Sequence, residues 1–497
     1  MKKKSPTRFH HANRYEQYSA NFLRFLERYL QGFKQEPVDV RRALCVMIFE
    51  APTRHRAHSH HEGYSRFGFQ ELEQSFGRTG FAAINDRLGL FEVLQEVNRD
   101  DWSMVEGRTK AYKLTEKVAA IHEKFLNGSL KRGATRLMTQ DGKYLQSPPA
   151  SAMMAKNQDG QNRRGFQNLP VKPLVPVNLV QLKKLIVDIE ARLLAHEAGF
   201  GQSEMFSGMP DIAFLKALRQ NTQMIFAKAR HAVWHGYVMH RYFETESGRV
   251  YAAGVGNLQN CYRVLREAAM AGLYDIDIEN CHYSILAQMA ASYGYQCTAI
   301  QSYLDNKKPL REGMAAEFGI SAQQAKDALI ALIYGAKFSD YYKDALPKIF
   351  NGDVALAQRI YLYPKFMELS SDIAGARAVI LKAQEVNRRT IKNCRGLTMR
   401  LDGSNERQQL AHLLQGVEVT ALEAAYRLYP NEIVLLQHDG FAATRPLDTE
   451  RIERAMREAT GYTLNVEQKV IQVNLAAAFD GHPETANNQN GKEQFLQ

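Results

Sequence analysis

The spacing of apolar positions changes character several times along this chain, and each change marks an element. From Tyr274 to Ile278 acids and aliphatics alternate, as on a strand that carries Asp275 and Asp277 on one face. Past Asn280 the alternation stops, and SILAQMAASYG follows with helical period. Ile433 to Leu436 is an apolar run, QHDG (Gln437 to Gly440) a tight turn, and Phe441-Ala442 opens a second run. That pattern predicts two buried strands with Asp439 carried out by the turn between them. Between these regions lies SAQQAKDALIALIYGAKF, Ser321 to Phe338, a helix with Ser321 as its N-cap. Its Lys326, Ile330 and Tyr334 are spaced i, i+4, i+8 along one stripe. Arg407 to Tyr429 predicts a longer helix, with Arg407, Ala411 and Gln415 on a stripe.

Upstream, VNLVQLKKLIVDIEARLLAH (177–196) is an amphipathic helix, and more helix is expected from Asp211 to about Arg241. Earlier still, FQELEQSF and FAAINDRLG read as two helices about the turn Gly77-Arg78-Thr79-Gly80. An apolar run from Leu90 to Leu94, a polar turn around Glu106-Gly107-Arg108 and AYKLTEKVAAIHEKF follow. Helix, turn, helix and two-stranded ribbon resembles a winged-helix module, with its second helix toward a groove and Arg108 and Lys110 on the wing. A plain structural subdomain is the other reading. The expected organisation is a basic arm (1–20), this small domain (21–130), a polar linker (131–175), a helical region (176–244), an α+β region holding every chemical candidate (245–480) and a disordered tail (481–497).

Composition narrows the function classes. Lys+Arg 64 against Asp+Glu 53 gives a net charge of +11, which suits a polyanionic partner. The cysteines Cys45, Cys261, Cys281, Cys297 and Cys394 are odd in number and form no C-x-x-C pair. This favours a reduced, cytoplasmic protein with neither a disulfide framework nor structural zinc. The cluster His55, His58, His60 and His61 fits no standard zinc spacing and reads as a solvated loop. No run approaches the ~18 apolar residues of a membrane span.

Two strand-borne carboxylates far apart in sequence, Asp277 and Asp439, are what a two-metal phosphoryl-transfer site needs. Mg²⁺ takes a few hard carboxylates and completes its shell with substrate phosphates, and Glu279 could also meet the ion. The stripe of Lys326, Ile330 and Tyr334 suits a triphosphate, an apolar platform and a base with its sugar. The bland alternatives are an edge strand with solvated acids and a helix with a snorkelling lysine. Acid, lysine helix and His-Asp, in that order, point to a template-dependent nucleic-acid polymerase.

These segments resemble the family A, polymerase I-type DNA polymerases. SGRVYAAGVGNLQN (Ser247 to Asn260) is similar to that family's (T/S)GR and NLQN segment, with one extra residue between the parts. DIENCHYSILAQMA from Asp277 resembles motif A, KDALIALIYG motif B with Lys326, Tyr334 and Gly335, and QHDG motif C with His438 and Asp439. REGMAAEFG places Arg311 where the family has a His, and RQQLAHLLQG places Arg407 and Gln415 as in its R-x7-QG segment. Ala322, Ile330, His282 and Gly440 depart from the family at a motif B arginine, a platform aromatic, the sugar-gate glutamate and the acid after His-Asp. Nothing upstream resembles a proofreading exonuclease.

The resemblance implies a right-hand fold, with a thumb-like 176–244 and palm and fingers in 245–480. It implies a monomeric DNA-directed DNA polymerase extending a primer with two Mg²⁺ ions, Mn²⁺ being the alternative, on Asp277 and Asp439. A plasmid, phage or other mobile element is the expected setting. Lys326 is expected to be catalytic, and Arg311, Lys326, Ile330, Tyr334 and His282 to bind the nucleoside triphosphate. Arg249, Asn260, Gly335, Arg407, Gln415 and His438 are expected on the DNA primer–template. Phage-type single-subunit RNA polymerases share the GR(V)YA opening, the Lys…Tyr-Gly helix and His-Asp, so an RNA polymerase or primase is the alternative. A replication initiator with a non-catalytic polymerase-like half is a further one.

Overall fold

The computed structural model describes residues 15–16, 20–51, 64–67, 72, 76–77, 80–94, 110–127, 138–139, 174–197, 212–231, 236–240, 242–252, 256–336, 341, 344–384 and 389–473. The chain opens with strand β1 (Tyr15–Glu16) and helices α1 (Ala20–Tyr29) and α2 (Val38–Glu50), then β2 (Ser65–Arg66), α3 (Gly80–Leu88), β3 (Phe91–Val93), β4 (Ala111–Leu114) and α4 (Glu116–Asn127). β2, β4 and β3 form an antiparallel sheet with β4 in the middle. Buried Asn85 joins α3 to β3: its amide donates to the Phe91 carbonyl at 2.9 Å, and its carbonyl accepts the Phe91 N–H at 2.8 Å. Helix and hairpin are thereby locked at a fixed angle around a core of Phe22, Phe49, Phe81, Phe91, Tyr112 and Phe125.

β5 (Met138–Thr139) pairs with β1, so part of the expected arm is tied to part of the expected linker. The His55–His61 cluster, Arg108 and the tail from 481 lie outside the described residues. Next come β6 (Leu174–Pro176), α5 (Leu179–Glu197) and α6 (Ile212–His231). The helix expected to run to Arg241 stops ten residues early, as α6 ends at His231 and β7 (Tyr237–Met239) and β8 (Tyr242–Glu244) follow. The reason is local: Gly236 takes φ +83°, and Tyr237, Val238, Tyr242 and Phe243 favour a pleated backbone. The amino-terminal core continues onto α6 through Met224 and Ala227.

β9 (Val250–Ala252) pairs with β8. It leads to α7 (Arg263–Ala269), β10 (Tyr274–Ile278), α8 (Cys281–Ser292), α9 (Thr298–Asp305), α10 (Lys307–Phe318), α11 (Ala322–Ile333), α12 (Ala345–Ile349), α13 (Val354–Tyr361) and α14 (Pro364–Ala383). The hairpin β11 (Thr390–Lys392)–β12 (Thr398–Arg400) precedes α15 (Glu406–Leu428), β13 (Ile433–Leu436), β14 (Gly440–Ala443), α16 (Thr449–Thr460) and β15 (Val466–Val470).

The central sheet is antiparallel, in the order β13-β14-β10-β15. Ile276, Ile278, Leu436, Phe441 and Ala443 enter one core with α8, α15 and α16. Val434, Leu435 and Ala442 enter another with α5, α6 and α7. Asp275 stands opposite Ala442 and Asp277 opposite Gly440, so both acids share the face turned away from α8, α15 and α16. None of the described helices is long and apolar enough to cross a membrane.

Candidate active site

The segments that carry Asp277 and Asp439 are joined by backbone contacts. Leu436 pairs with Phe441, and the Gln437 N–H donates to the Gly440 carbonyl at 2.9 Å. His438 and Asp439 are therefore the tip of the β13–β14 hairpin. The Ile278 N–H donates to the Asp439 carbonyl at 2.9 Å, which fixes that tip beside the end of β10. Gly440 is what permits the approach. A Cβ there would run into the Ile276 carbonyl oxygen and stand 3.0 Å from Asp277 Oδ1. The other acids of the segment are engaged elsewhere: Asp275 accepts from Gln437 Nε2 at 3.1 Å and faces Lys469 at 3.5 Å, while Glu279 takes Lys307 at 2.6 Å.

No group of three or more His, Cys, Asp or Glu side chains gathers into a metal cage among the described residues. Burial first, then Glu418 and Asp439, and more weakly Asp277, push the Cys281 thiol well above its ordinary pKa, with Arg249 opposing.

α11 lies against α8 with the expected cap. Ser321 accepts the Gln324 N–H and Gln324 returns a bond to the Ser321 backbone, a full capping box. Ala325, Ala328, Leu329 and Leu332 form its buried flank, and the Tyr283 hydroxyl donates to the Leu329 carbonyl at 2.6 Å. Lys326 and Ile330 are half-buried on the next stripe, and Tyr334 closes it, 5% exposed. Gly335 follows at φ +82°, and a Cβ there would collide with the Arg407 side chain. The end of α11 is thus in contact with the first turn of α15. Burial, then Arg377 nearby, lower the Arg407 pKa.

His282 is not an isolated ring. His282 is 7% exposed. Its Nε2 lies 2.8 Å from Glu418 Oε2 and its Nδ1 2.8 Å from the Tyr334 hydroxyl. Glu418 also holds Arg249, with Nε donating to Oε1 at 2.8 Å and Nη2 to Oε2 at 2.5 Å. Arg249, expected on the duplex, is 2% exposed and committed to this carboxylate. Sequence reasoning missed Glu418. Its signal was an acid flanked on both sides by valine, Val417-Glu418-Val419, within a mostly apolar helix.

The other expected residues are dispersed around this centre. Arg311 on α10 donates to Asn280 Oδ1 at 2.9 Å and lies 5.6 Å from the Tyr303 ring centroid. Asn280 itself takes φ +46° at the junction of β10 and α8. Asn260 is exposed, and its backbone N–H donates to Asn257 Oδ1 at 2.8 Å. The neighbour Gln259, also missed, is fully buried. It donates to the Val250 and Leu436 carbonyls at 2.9 and 3.0 Å and accepts the Ala252 N–H at 2.6 Å, which anchors β9 to the strand leading into the Asp439 turn. Gln415 is 5% exposed within α15. His438 is 4% exposed, with its ring 4.8 Å from that of Tyr251.

No protein-family model matches the chain, and no curated protein matches it. Among solved structures, the chain is similar to the POL domain of Pol1 from M. smegmatis, solved in complex with DNA primer-template and dNTP. The identity is 14% and the TM-score 0.36, over 60% of this chain and 67% of that one.

Proposed function

We propose that this protein is a template-directed nucleotidyltransferase, a DNA polymerase that extends a primer. The observation that carries the reading is the backbone contact that brings the Asp439 turn of the β13–β14 hairpin beside the Asp277 end of β10, together with a helix that carries Lys326, Ile330 and Tyr334 on one stripe. In the reaction the primer 3′-oxygen bonds to the α-phosphorus, the bond to the departing pyrophosphate breaks, and the hydroxyl proton leaves to solvent. Mg²⁺ held by Asp277 and Asp439 supplies, when bound, electrostatic stabilisation of the attacking and leaving oxygens. Lys326 neutralises the triphosphate and protonates the departing pyrophosphate. Arg311 joins it by exchanging its Asn280 contact for phosphate. Tyr334 bounds the base and sugar, and His282 backs it.

Asn260, Gly335, Arg407, Gln415 and His438 border the primer–template. Arg249 does not: buried against Glu418, it acts as a counter-ion within the site. The amino-terminal domain is a winged-helix module that holds duplex. The antiparallel order β2-β4-β3 with α3 before the hairpin supports this, as does the net charge of +11.

The test is Mg²⁺-dependent extension of a labelled primer on a template, with dNTPs and rNTPs supplied separately. Template-directed addition of dNTPs is expected. Failure to add either nucleotide refutes the reading, and preference for rNTPs without a primer moves it to the RNA polymerase or primase class.

A further inference from the structure

Glu418 lies in the middle of α15, where every residue from Leu410 to Val419 is buried. A carboxylate there is costly unless it is paired and hydrogen-bonded. Arg249 alone would meet that need. The carboxylate nevertheless takes a second donor, His282 Nε2, on the oxygen that already accepts Arg249 Nη2.

Burial by itself raises the Glu418 pKa, but Arg249 and His282 outweigh it and bring it down to about 2. An ionised carboxylate only accepts, so His282 carries a proton on Nε2. The 3.4 Å approach of Arg249 Nη2 to that nitrogen is then two donors sharing one oxygen. On the other side of the ring, Nδ1 lies 2.8 Å from the Tyr334 hydroxyl. The two rings pack edge-on with centroids 5.6 Å apart. A chain of contacts therefore runs from the core of α15 through His282 to the end of the Lys326 stripe.

We propose that Glu418 is a positioning residue that sets sugar selectivity: by fixing His282 it pins Tyr334 as a rigid wall against the 2′-hydroxyl of an incoming ribonucleotide. The inference rests on the nucleotidyltransferase reading above. Glu418 touches no nucleotide; it acts through two rings, and its loss should loosen the wall rather than remove the metal site.

The experiment compares incorporation of dNTP and rNTP by the wild type, by Glu418→Gln and by the double variant Arg249→Met/Glu418→Met, alongside the ¹⁵N shifts of the His282 imidazole. The double variant removes both buried charges together, an exchange that cores often accept. It keeps the test alive if Glu418→Gln does not fold. In the wild type Nε2 is expected to be protonated and dNTP to be preferred. In the folded variants the tautomer signature should shift, and the ratio of kcat/KM for dNTP over rNTP should fall by about tenfold or more, mainly through a lower KM for rNTP. A folded variant that keeps the wild-type ratio within about twofold, or a wild-type His282 protonated on Nδ1 instead, overturns the proposal alone. A wild type that adds neither nucleotide overturns the enzymatic reading and this inference with it.

Discussion

Replacing Gly440 by Ala perturbs the proposed metal site without substituting either carboxylate residue. The new methyl collides with the Ile276 carbonyl oxygen and stands 3.0 Å from Asp277 Oδ1 and 3.1 Å from Asp277 Cα, whereas ordinary contact begins at 3.4 Å. Two of these three atoms are backbone of the neighbouring strand, so no side-chain rotation relieves the clash. β14 must move from β10 by roughly 1 Å, and with it the hydrogen bond from Ile278 to Asp439. A misplacement of that size at reacting groups costs on the order of 100-fold in rate, while overpacking costs about 1–3 kcal/mol of stability. Single-turnover primer extension, run beside a thermal melt, reads both effects. The expected result is a rate loss of about 100-fold in a protein that still folds and still binds duplex. Gly440→Ala with wild-type rate and wild-type stability would show that the two carboxylates do not depend on this contact.

Asp277→Asn and Asp439→Asn should each remove several kcal/mol of transition-state stabilisation while sparing duplex binding; near-normal extension by either, or by the wild type in excess chelator, contradicts the assignment. Gln259→Ala strands three buried backbone partners and should cost about 2–4 kcal/mol, measurable as a lower denaturation midpoint; an unchanged midpoint denies the anchoring role. Because Glu418 is held at about 2 rather than 4.5, its pairing contributes stability above pH 4.5 that is lost as pH falls toward 2. That contribution is on the order of 3 kcal/mol, and acid unfolding of Arg249→Met/Glu418→Met should lack this step; an acid limb identical to wild type rules it out. Lys110→Ala with Lys113→Ala should weaken duplex binding and flatten its salt dependence by about one unit per lost phosphate contact, and superimposable isotherms would leave the amino-terminal domain merely structural.

What could be read in the sequence was what repeats locally. Alternation gave β10 and its shared acidic face, the Ser321 cap gave the start of α11, and helical spacing gave its stripe. The apolar runs around QHDG gave the hairpin and the turn that carries Asp439. What could not be read depends on distant partners. Nothing near Val466–Val470 announces that this strand covers the far edge of β10, because its own exposure pattern is mixed. Arg249 reads as a free cation until Glu418 is found beside it, 169 positions away. Gln259 looks like surface polarity in NLQN, yet its amide is spent entirely on main-chain groups. Each is a polar residue whose partner is chosen by topology, so spacing alone is silent.

The placement of β10 sets a timetable for the molecule. Its neighbours in the sheet, β14 and β15, come from residues 440–470, long after the strand itself has been synthesised. A nascent chain therefore carries Asp277 on an unpaired strand, exposed on both edges, until almost everything described here has left the ribosome. Contacts so distant in sequence close slowly, and unpaired edges in the meantime invite association. Activity should therefore appear in one step, only after residues 440–470 have emerged, and chaperone demand should peak while that strand still lacks its partners.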